Sequence, residues 1–267
     1  MAETLRLTEE RIKKYLEAGR RFDGRKLDEF RDIKIETGVS KKAEGSARVR
    51  IGKTEVIVGI KMDVSTPYAD SPNKGNLSVG AELLPLSSSR FESGPPRFPS
   101  IEIARLVDRG IRESKFIELD KLCIKEGEKV WTVMLDIYSI NDDGNLLDAA
   151  GIAAVVALKD AKIPEYDEEK EKVKFGELTN KRLPLSKNMP ITITAHKIDG
   201  KFIVDPTLEE EDISETKLTV GSCNGIISSI QKGNSNPLSV EELEEILELI
   251  EKVEREVFKK LQKFIKE

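Results

Sequence analysis

The sequence predicts an α+β protein with mostly antiparallel or mixed sheets, helices layered against them, and a long C-terminal helix. The first observation is a period-two alternation of apolar residues along residues 54–65, which is typical of a half-buried strand. The second is a change to helical period along residues 100–116, where apolar residues recur on one face. The third is that runs of strands followed by a helix occur twice, which indicates two similar halves.

The first half predicts a short helix, a series of strands and two longer helices. The amphipathic helix at residues 8–18 has Thr8 placed as its cap. A tight turn at Gly52 and Lys53 joins two strands in a hairpin. The small apolar residues that follow residue 146 predict a helix buried on most sides. The predicted strands are 31–37, 45–52, 54–65, 76–86 and 129–140, and the two longer helices are 100–116 and 146–161.

The second half predicts four strands and the C-terminal helix, after a charged loop at residues 163–178. A capping box of Ser239 and Glu242 starts the helix, which runs to about residue 265. The strands are 190–198, 201–206, 215–222 and 225–233. The apolar stripe of the helix is Leu243, Ile246, Ile250, Val253, Val257, Leu261 and Phe264. We interpret the chain, 1–267, as a single domain with approximate halves 20–165 and 185–267.

The composition is that of a soluble globular protein with a densely charged surface, because 38% of residues are hydrophobic and 35% are charged. The first 19 residues are too charged for a signal peptide, and the longest apolar run, at 149–158, is too short to span a membrane. These features predict a cytoplasmic protein without membrane contact. The net charge of -5 argues against a protein that coats nucleic acid, but it is compatible with a local basic patch.

Histidine and cysteine content excludes most familiar catalytic and metal sites. The single histidine, His196, rules out a zinc site built on a histidine pair, and a structural or surface role is favoured for it over catalysis. Cys123 and Cys223 match no metal-binding spacing, which favours two buried thiols. Phosphate loops of the GxxxxGK(S/T) and GxGxxG types are absent. The sequence therefore predicts no cofactor and no metal site built on histidine or cysteine.

Two acidic clusters leave two interpretations open. The first is Asp142, Asp143 and Asp148 at the start of the buried helix, and the second is DPTLEEED, with Asp205 and Glu209 to Asp212. Paired carboxylates could hold Mg²⁺ or supply a general acid. Solvated turn residues and helix caps are the favoured alternative, especially for Asp148, since an acid in the first helical turn complements the helix dipole.

A basic stripe is the third candidate feature. Arg105, Arg109 and Arg112 are spaced i, i+4, i+7, so they share one helix face, and Arg90 and Arg97 lie in the loop that precedes this helix. An arginine stripe is usually a solvated face. An arginine loop that leads into an arginine helix also resembles a groove that tracks phosphates, so both interpretations remain.

Four segments together resemble the RNase PH family, and most closely the RNase PH-type subunits of the archaeal exosome. The likeness covers nearly the whole chain in the same order. The resemblance implies an RNase PH-like fold of two β-α-β-α units (ribosomal protein S5 domain 2-like), a ring of six subunits that threads RNA, and phosphorolysis of RNA by the active members. The segments are RFDGR (21–25), GSARVRIGKTEVIVGIK (45–61), IEIARLVDRGIRES (101–114) and DAAGIAAVVALKDAKIP (148–164).

The phosphate loop of the family is altered in this chain. Active members bind phosphate with a Gly-Thr/Ser-Arg turn, where this chain has Leu146, Leu147 and Asp148. A carboxylate in place of an arginine is expected to repel phosphate by roughly 1–4 kcal/mol at about 4 Å, depending on the local dielectric. We therefore expect a degenerate phosphate site and no catalytic residues. Asp205 and Glu211 lie where active members place catalytic carboxylates.

The resemblance therefore implies the non-catalytic RNase PH-type subunit of an archaeal exosome. Such a subunit alternates with a catalytic RNase PH-type partner in a hexameric ring of three heterodimers, carries cap subunits of the S1/KH type, and takes part in 3′-to-5′ RNA degradation. Arg105 and Arg109 match arginines that contribute to binding single-stranded RNA there, with Arg112 contributing less or pairing with Asp108. The alternatives are an autonomous phosphorolytic 3′-to-5′ exoribonuclease and a scaffold protein with no RNA role.

Overall fold

The computed structural model describes residues 6–265, and the side chains of all of these except residues 263 and 265. The helices are α1 (Arg6–Glu17), α2 (Phe98–Glu113), α3 (Leu146–Asp160), α4 (Leu208–Asp212) and α5 (Val240–Ile265). The strands are β1 (Ile33–Thr37), β2 (Gly45–Ile51), β3 (Thr54–Ser65), β4 (Asn76–Leu83), β5 (Cys123–Lys125), β6 (Lys129–Asn141), β7 (Lys162–Asp167), β8 (Lys172–Arg182), β9 (Ile191–Ile198), β10 (Lys201–Val204), β11 (Thr216–Cys223) and β12 (Ile226–Gly233). Within residues 6–265, no helix combines the length and the apolar character that a membrane crossing requires.

The larger sheet has the strand order β1-β2-β3-β6-β4, and β5 pairs with one end of β6. Neighbouring strands are antiparallel, except for β4 and β6, which are parallel. Alternate residues of β3, such as Val56, Val58 and Ile60, are buried, as the period-two pattern predicts. The predicted hairpin is present, and Gly52 at its turn has a φ of 59°, which glycine adopts without strain.

Helix α3 lies between the two sheets and forms the centre of the hydrophobic core. It contacts β2 and β3 of the larger sheet and β9 of the smaller sheet. Backbone approaches backbone at Gly45 of β2, where a Cβ atom would lie 2.5 Å from the carbonyl oxygen of Ala157. The small residues of α3 permit this approach, and the predicted burial of the helix is confirmed.

The smaller sheet is antiparallel throughout, with the order β10-β9-β11-β12, and α5 packs against β9. The predicted capping box is confirmed, because Glu242 N donates to Ser239 Oγ at 3.2 Å and Ser239 N donates to Glu242 Oε2 at 3.0 Å. The stripe of α5 is buried only as far as Leu261. Phe264, the last residue of the predicted apolar stripe, is 47% exposed, because the helix continues beyond the core that it covers.

The segment predicted as a loop at 163–178 is instead part of an antiparallel hairpin of β7 and β8. Most of its side chains are exposed, so the sequence lacks the apolar alternation that marks a half-buried strand. Its packing depends on a few residues, among them Val173, which is buried, and Tyr166, whose ring meets Trp131 edge-on at 6.0 Å. Local sequence patterns could not predict this hairpin, because the contacts that stabilise it join residues that are distant in the chain.

The ends of three elements also differ from the prediction. Thr8 is not a helix cap, because α1 already includes Arg6 and Leu7. Strands β4 and β10 end earlier than expected, at Leu83 and Val204. The residues after β10 turn instead into the short helix α4, which carries much of the second acidic cluster.

Candidate nucleic-acid interface

Helix α2 turns the predicted arginine stripe away from the core. Arg105, Arg109 and Arg112 are all exposed. The opposite face fixes the rotation of the helix, since its apolar side chains are anchored in the core. The buried residues of α2 are Ser100, Ile103, Leu106, Val107, Gly110 and Ile111.

The three arginines line one cleft of about 650 Å³. Strand β4 supplies one wall with Val79, Gly80 and Ala81, and Gln231 of β12 contributes from the smaller sheet. The α2 helix forms the remaining wall. The structure therefore brings the predicted basic residues together on a concave surface of the kind that can hold an extended chain.

Two of the three arginines are unengaged. Arg112 donates to Asp108 at 2.7 Å and to the carbonyl oxygen of Leu77 at 3.3 Å, so the expected pairing with Asp108 is present. Arg105 and Arg109 make no hydrogen bond or ion pair with any residue in the described part of the chain. Two cations are thus left for an external anion at the cleft.

The loop before α2 does not add free cations. Arg90 forms an ion pair with Asp212 of α4, and Arg97 forms one with Glu92 at 2.6 Å. A smaller cavity of about 320 Å³ lies along this loop and shares Ser100 with the wall of the main cleft. The positive charge of the loop is therefore balanced locally, and the stripe on α2 carries the basic character of the surface.

The three residues that replace the phosphate-binding turn are buried and do not face the surface of the loop. Leu146 and Leu147 are buried, and Asp148 is fully buried. Its carboxylate points at β9, where it accepts hydrogen bonds from Thr194 Oγ1 at 2.8 Å and from Thr194 N at 3.2 Å. The predicted repulsion of phosphate by an Asp148 carboxylate in the loop is therefore wrong, because the side chain faces the interior.

Burial raises the pKa of the Asp148 carboxyl to about 7, although the hydrogen bonds from Thr194 oppose the shift. Since this pKa lies above the unfolded value of about 3.9, the contribution of the group to folding is lost as the pH rises towards and through 7. We expect the free energy of unfolding to fall by a few kcal/mol between about pH 4 and pH 7, at about 1.4 kcal/mol per pKa unit, and to level off above that range. Urea denaturation at several pH values measures this dependence of the free energy of unfolding on pH. Asp148→Asn should flatten the curve, and a variant as steep as the parent protein would contradict this assignment.

Carboxylates of the chain itself bind two backbone donors just before α3. Asn145 caps the helix in a left-handed conformation with a φ of 61°, and its N–H donates to Glu211 Oε2 at 2.9 Å. Gly144 N donates to Asp142 Oδ1 at 3.2 Å. A helix N-terminus is where an anion such as phosphate would bind, and here two internal carboxylates lie on the donors that precede the helix.

Two arginines, Arg25 and Arg31, meet at Asp205 beside this loop, and no local sequence pattern indicates their pairing. Arg31 donates to the carbonyl oxygens of Asp143 and Gly144 at 2.8 and 3.0 Å and to Asp205 Oδ1 at 2.7 Å. Arg25 donates to Asp205 Oδ2 at 2.8 Å. The sequence has no lysine or arginine between Lys129 and Lys159, but Arg31, from a distant segment, contacts this loop. Asp205 is the shared partner of both guanidinium groups, and Asp23 and Asp143 each supply one of them with a second carboxylate.

Two residues of the second acidic cluster, Asp205 and Glu210, form buried ion pairs with arginines from a distant segment. Burial pushes the pKa of Asp205 up, but the hydrogen bond and charge of Arg31 outweigh it and hold that pKa below its ordinary range. Glu210 is buried in an ion pair with Arg21 and completes a capping box with Thr207. Across the described residues, no group of three or more acidic, histidine or cysteine side chains is arranged to hold a metal ion.

The remaining candidate residues have interior positions. His196 is buried beside Ser214 Oγ at 3.1 Å from its Nδ1, and burial lowers its pKa to about 3, so the imidazole stays neutral. Of the structural and surface roles predicted for this residue, its burial favours the structural one. Cys223 is buried as predicted, whereas Cys123 is only partly buried.

Comparison with known proteins places this architecture in a family. The 3′ exoribonuclease family matches in two blocks, domain 1 over residues 29–164 and domain 2 over residues 188–252. The exosome complex component Rrp42 of Methanocella arvoryzae is 48% identical over 232 residues, which cover 86% of each chain. The protein of the same name from Thermococcus onnurineus is 47% identical, over 85% of this chain and 84% of its own.

Solved structures agree with the sequence comparison. A chain of the Archaeoglobus fulgidus exosome with RNA bound to the active site superposes with a TM-score of 0.87 at 40% identity, covering 96% of this chain and 98% of its own. A chain of an archaeal exosome core gives 0.82 at 38% identity, covering 97% and 96%. The predicted RNase PH-like α+β fold is thereby confirmed. The chain belongs to the 3′ exoribonuclease (RNase PH) family.

Proposed function

We propose that this chain is a non-catalytic RNase PH-type subunit of an archaeal exosome, which takes part in 3′-to-5′ RNA degradation and binds single-stranded RNA. The observation that carries the proposal is the pair of unengaged cations, Arg105 and Arg109, on the wall of a cleft. The names of the relatives, which are exosome components, support the same role.

The proposed contact with RNA is electrostatic. Arg105 and Arg109 lie about 6 Å apart along the axis of α2, so both can meet phosphates of one strand. Guanidinium groups bind phosphate through paired N–H donors, and neutralising a phosphate releases counterions. RNA binding at the cleft is therefore expected to weaken as the salt concentration rises.

The proposed absence of catalysis follows from the start of α3. Glu211 and Asp142 occupy backbone donors there, and Asp205 is engaged by Arg25 and Arg31. Attack by inorganic phosphate requires an open anion site, and in this chain Asp142 and Glu211 place carboxylates on the two backbone donors just before α3. We assign the chemistry to a catalytic RNase PH-type partner, whose active site this subunit helps to structure.

The proposed assembly is a hexameric ring of three heterodimers with cap subunits of the S1/KH type, located in the cytoplasm. Strand β12 lies at the edge of the smaller sheet and exposes Ile226, Ile227 and Ile230. Exposed apolar side chains on an unpaired strand are typical of a surface that a neighbour covers. This arrangement supports a partner chain on that side.

Reversing both charges of the stripe tests the RNA role. In the assembled complex, Arg105→Glu with Arg109→Glu should weaken RNA binding and slow decay, because single-stranded binding depends on salt with a slope of about 0.7 per phosphate neutralised. The salt slope should fall by about 1.4, measured by fluorescence anisotropy over a salt series. Assembly should persist, since the apolar face of α2 is untouched.

A matched control reverses two exposed cations on α5, which does not line the cleft: Lys252→Glu with Arg255→Glu. This control changes the net charge equally and should leave the salt slope as it is. If the double variant of the stripe assembles normally and binds RNA with unchanged affinity and salt slope, the stripe is only a solvated face.

A further inference from the structure

The first turn of α2 presents an aromatic side chain in line with the arginine stripe. Phe98 is 75% exposed. With 3.6 residues per turn, Phe98, Arg105 and Arg109 fall within about 40° of one line along the helix surface. The ring and the two unengaged cations therefore share one face, separated by about 10 Å along the axis between Phe98 and Arg105.

Hydrogen bonds within the first turn of α2 fix the backbone that carries Phe98. Ser100 is buried and its Oγ donates to the carbonyl oxygen of Arg97 at 2.8 Å. Ile101 N donates to the same oxygen at 3.1 Å, and Pro99 fixes the backbone at the second helical position. The ring is thus presented by an ordered helical turn, which lowers the entropic cost of binding a ligand against it.

The neighbours of Phe98 favour a nucleotide over an apolar protein surface. A protein surface that covered the ring and extended along the same face would also cover Arg105 and Arg109, which have no carboxylate partner in the described chain. A nucleotide chain offers both chemistries at once, phosphates for the guanidinium groups and a flat base for the ring. The cleft beside the arginines is also lined by Ile101, which extends an apolar surface next to Phe98.

We propose that Phe98 is a stacking platform for a base of the single-stranded RNA whose phosphates bind Arg105 and Arg109. This inference rests on the proposed RNA role of the stripe and adds a contact of a different kind. Stacking on an aromatic ring tolerates any base, because every base has a π-face. The contact should therefore strengthen binding without changing the number of phosphates neutralised.

The test compares Phe98→Ala, Phe98→Trp and the arginine double variant in the complex assembled with the partner subunit. Each is titrated with a short oligoadenylate and with an abasic oligomer of the same length. Phe98→Ala should weaken binding of the oligoadenylate about tenfold, the scale of one base–aromatic stack, and leave the abasic oligomer and the salt slope unchanged. The arginine variant should weaken both ligands.

The tryptophan variant gives a signal that a merely structural role would not produce. Phe98→Trp should restore affinity for the oligoadenylate, and the added indole should lose fluorescence when that ligand binds but not when the abasic oligomer binds. Trp131 is 8% exposed and provides a constant background. Phe175→Ala, at a 60% exposed phenylalanine on β8, is the matched control and should change neither ligand.

The outcomes separate this inference from the proposed function. Equal affinities of Phe98→Ala and the parent complex for the oligoadenylate would overturn stacking, even when the arginine variant loses binding. An equal loss for both ligands would also overturn it. Weakened assembly of Phe98→Ala, measured by sedimentation, would show that the ring contacts a protein neighbour instead. Unchanged binding by the arginine variant would overturn the proposed function itself.

Discussion

Replacing Asp205 with alanine is expected to lower the free energy of unfolding by about 3–5 kcal/mol, the range for removing one partner of a buried ion pair. Asp205 is fully buried and accepts hydrogen bonds from Arg25 and Arg31, and also from Asn145 Nδ2 at 2.8 Å. The substitution would leave the guanidinium group of Arg25, 11% exposed, with Asp23 as its remaining carboxylate partner, and that of Arg31, 9% exposed, with Asp143 at 3.3 Å. Urea denaturation followed by circular dichroism measures the change.

A neighbouring acid provides the control for this measurement. Glu209 lies on α4 close to the same cluster in sequence, but its side chain is exposed. Glu209→Ala should alter the free energy of unfolding by about 0.5 kcal/mol or less, as for most surface substitutions. A loss below about 1 kcal/mol for Asp205→Ala would mean that the arginine cluster does not hold the loop and α4 together.

Most of the fold could be predicted because its elements depend on local periodicity. The alternation in β3 and the helical period of α2 both arise from one buried face, which the sequence displays directly. The hairpin of β7 and β8 could not be predicted in this way. Its charged strands are largely exposed, and contacts such as Tyr166 with Trp131 join residues far apart in the chain.

The arginine stripe and the loop before α3 also differ in how far the sequence could predict them. The stripe of Arg105, Arg109 and Arg112 follows from spacing on one helix, so the sequence predicted its position. The contacts of Arg31 with Asp205 and with the loop before α3 join residues more than a hundred positions apart. No local pattern indicates such a pairing, and the burial of Asp148 likewise depends on Thr194 of a distant strand.

The largest expected effect on activity is the difference between the free chain and the assembled complex. Internal carboxylates occupy donors at the start of α3, so the purified chain should not shorten RNA in the presence of inorganic phosphate. Asp148→Arg should not restore activity, because position 148 is buried and directed at β9. The complex with the catalytic partner should be active.

The measurement that tests this account most directly is release of nucleoside diphosphates from a 3′-labelled RNA by the purified chain, without any partner, over a range of phosphate concentrations. The account predicts no phosphate-dependent release from the chain alone, and release once the catalytic RNase PH-type partner is added. Robust phosphate-dependent shortening of RNA by the partner-free protein would contradict it and would identify the chain as an autonomous phosphorolytic exoribonuclease.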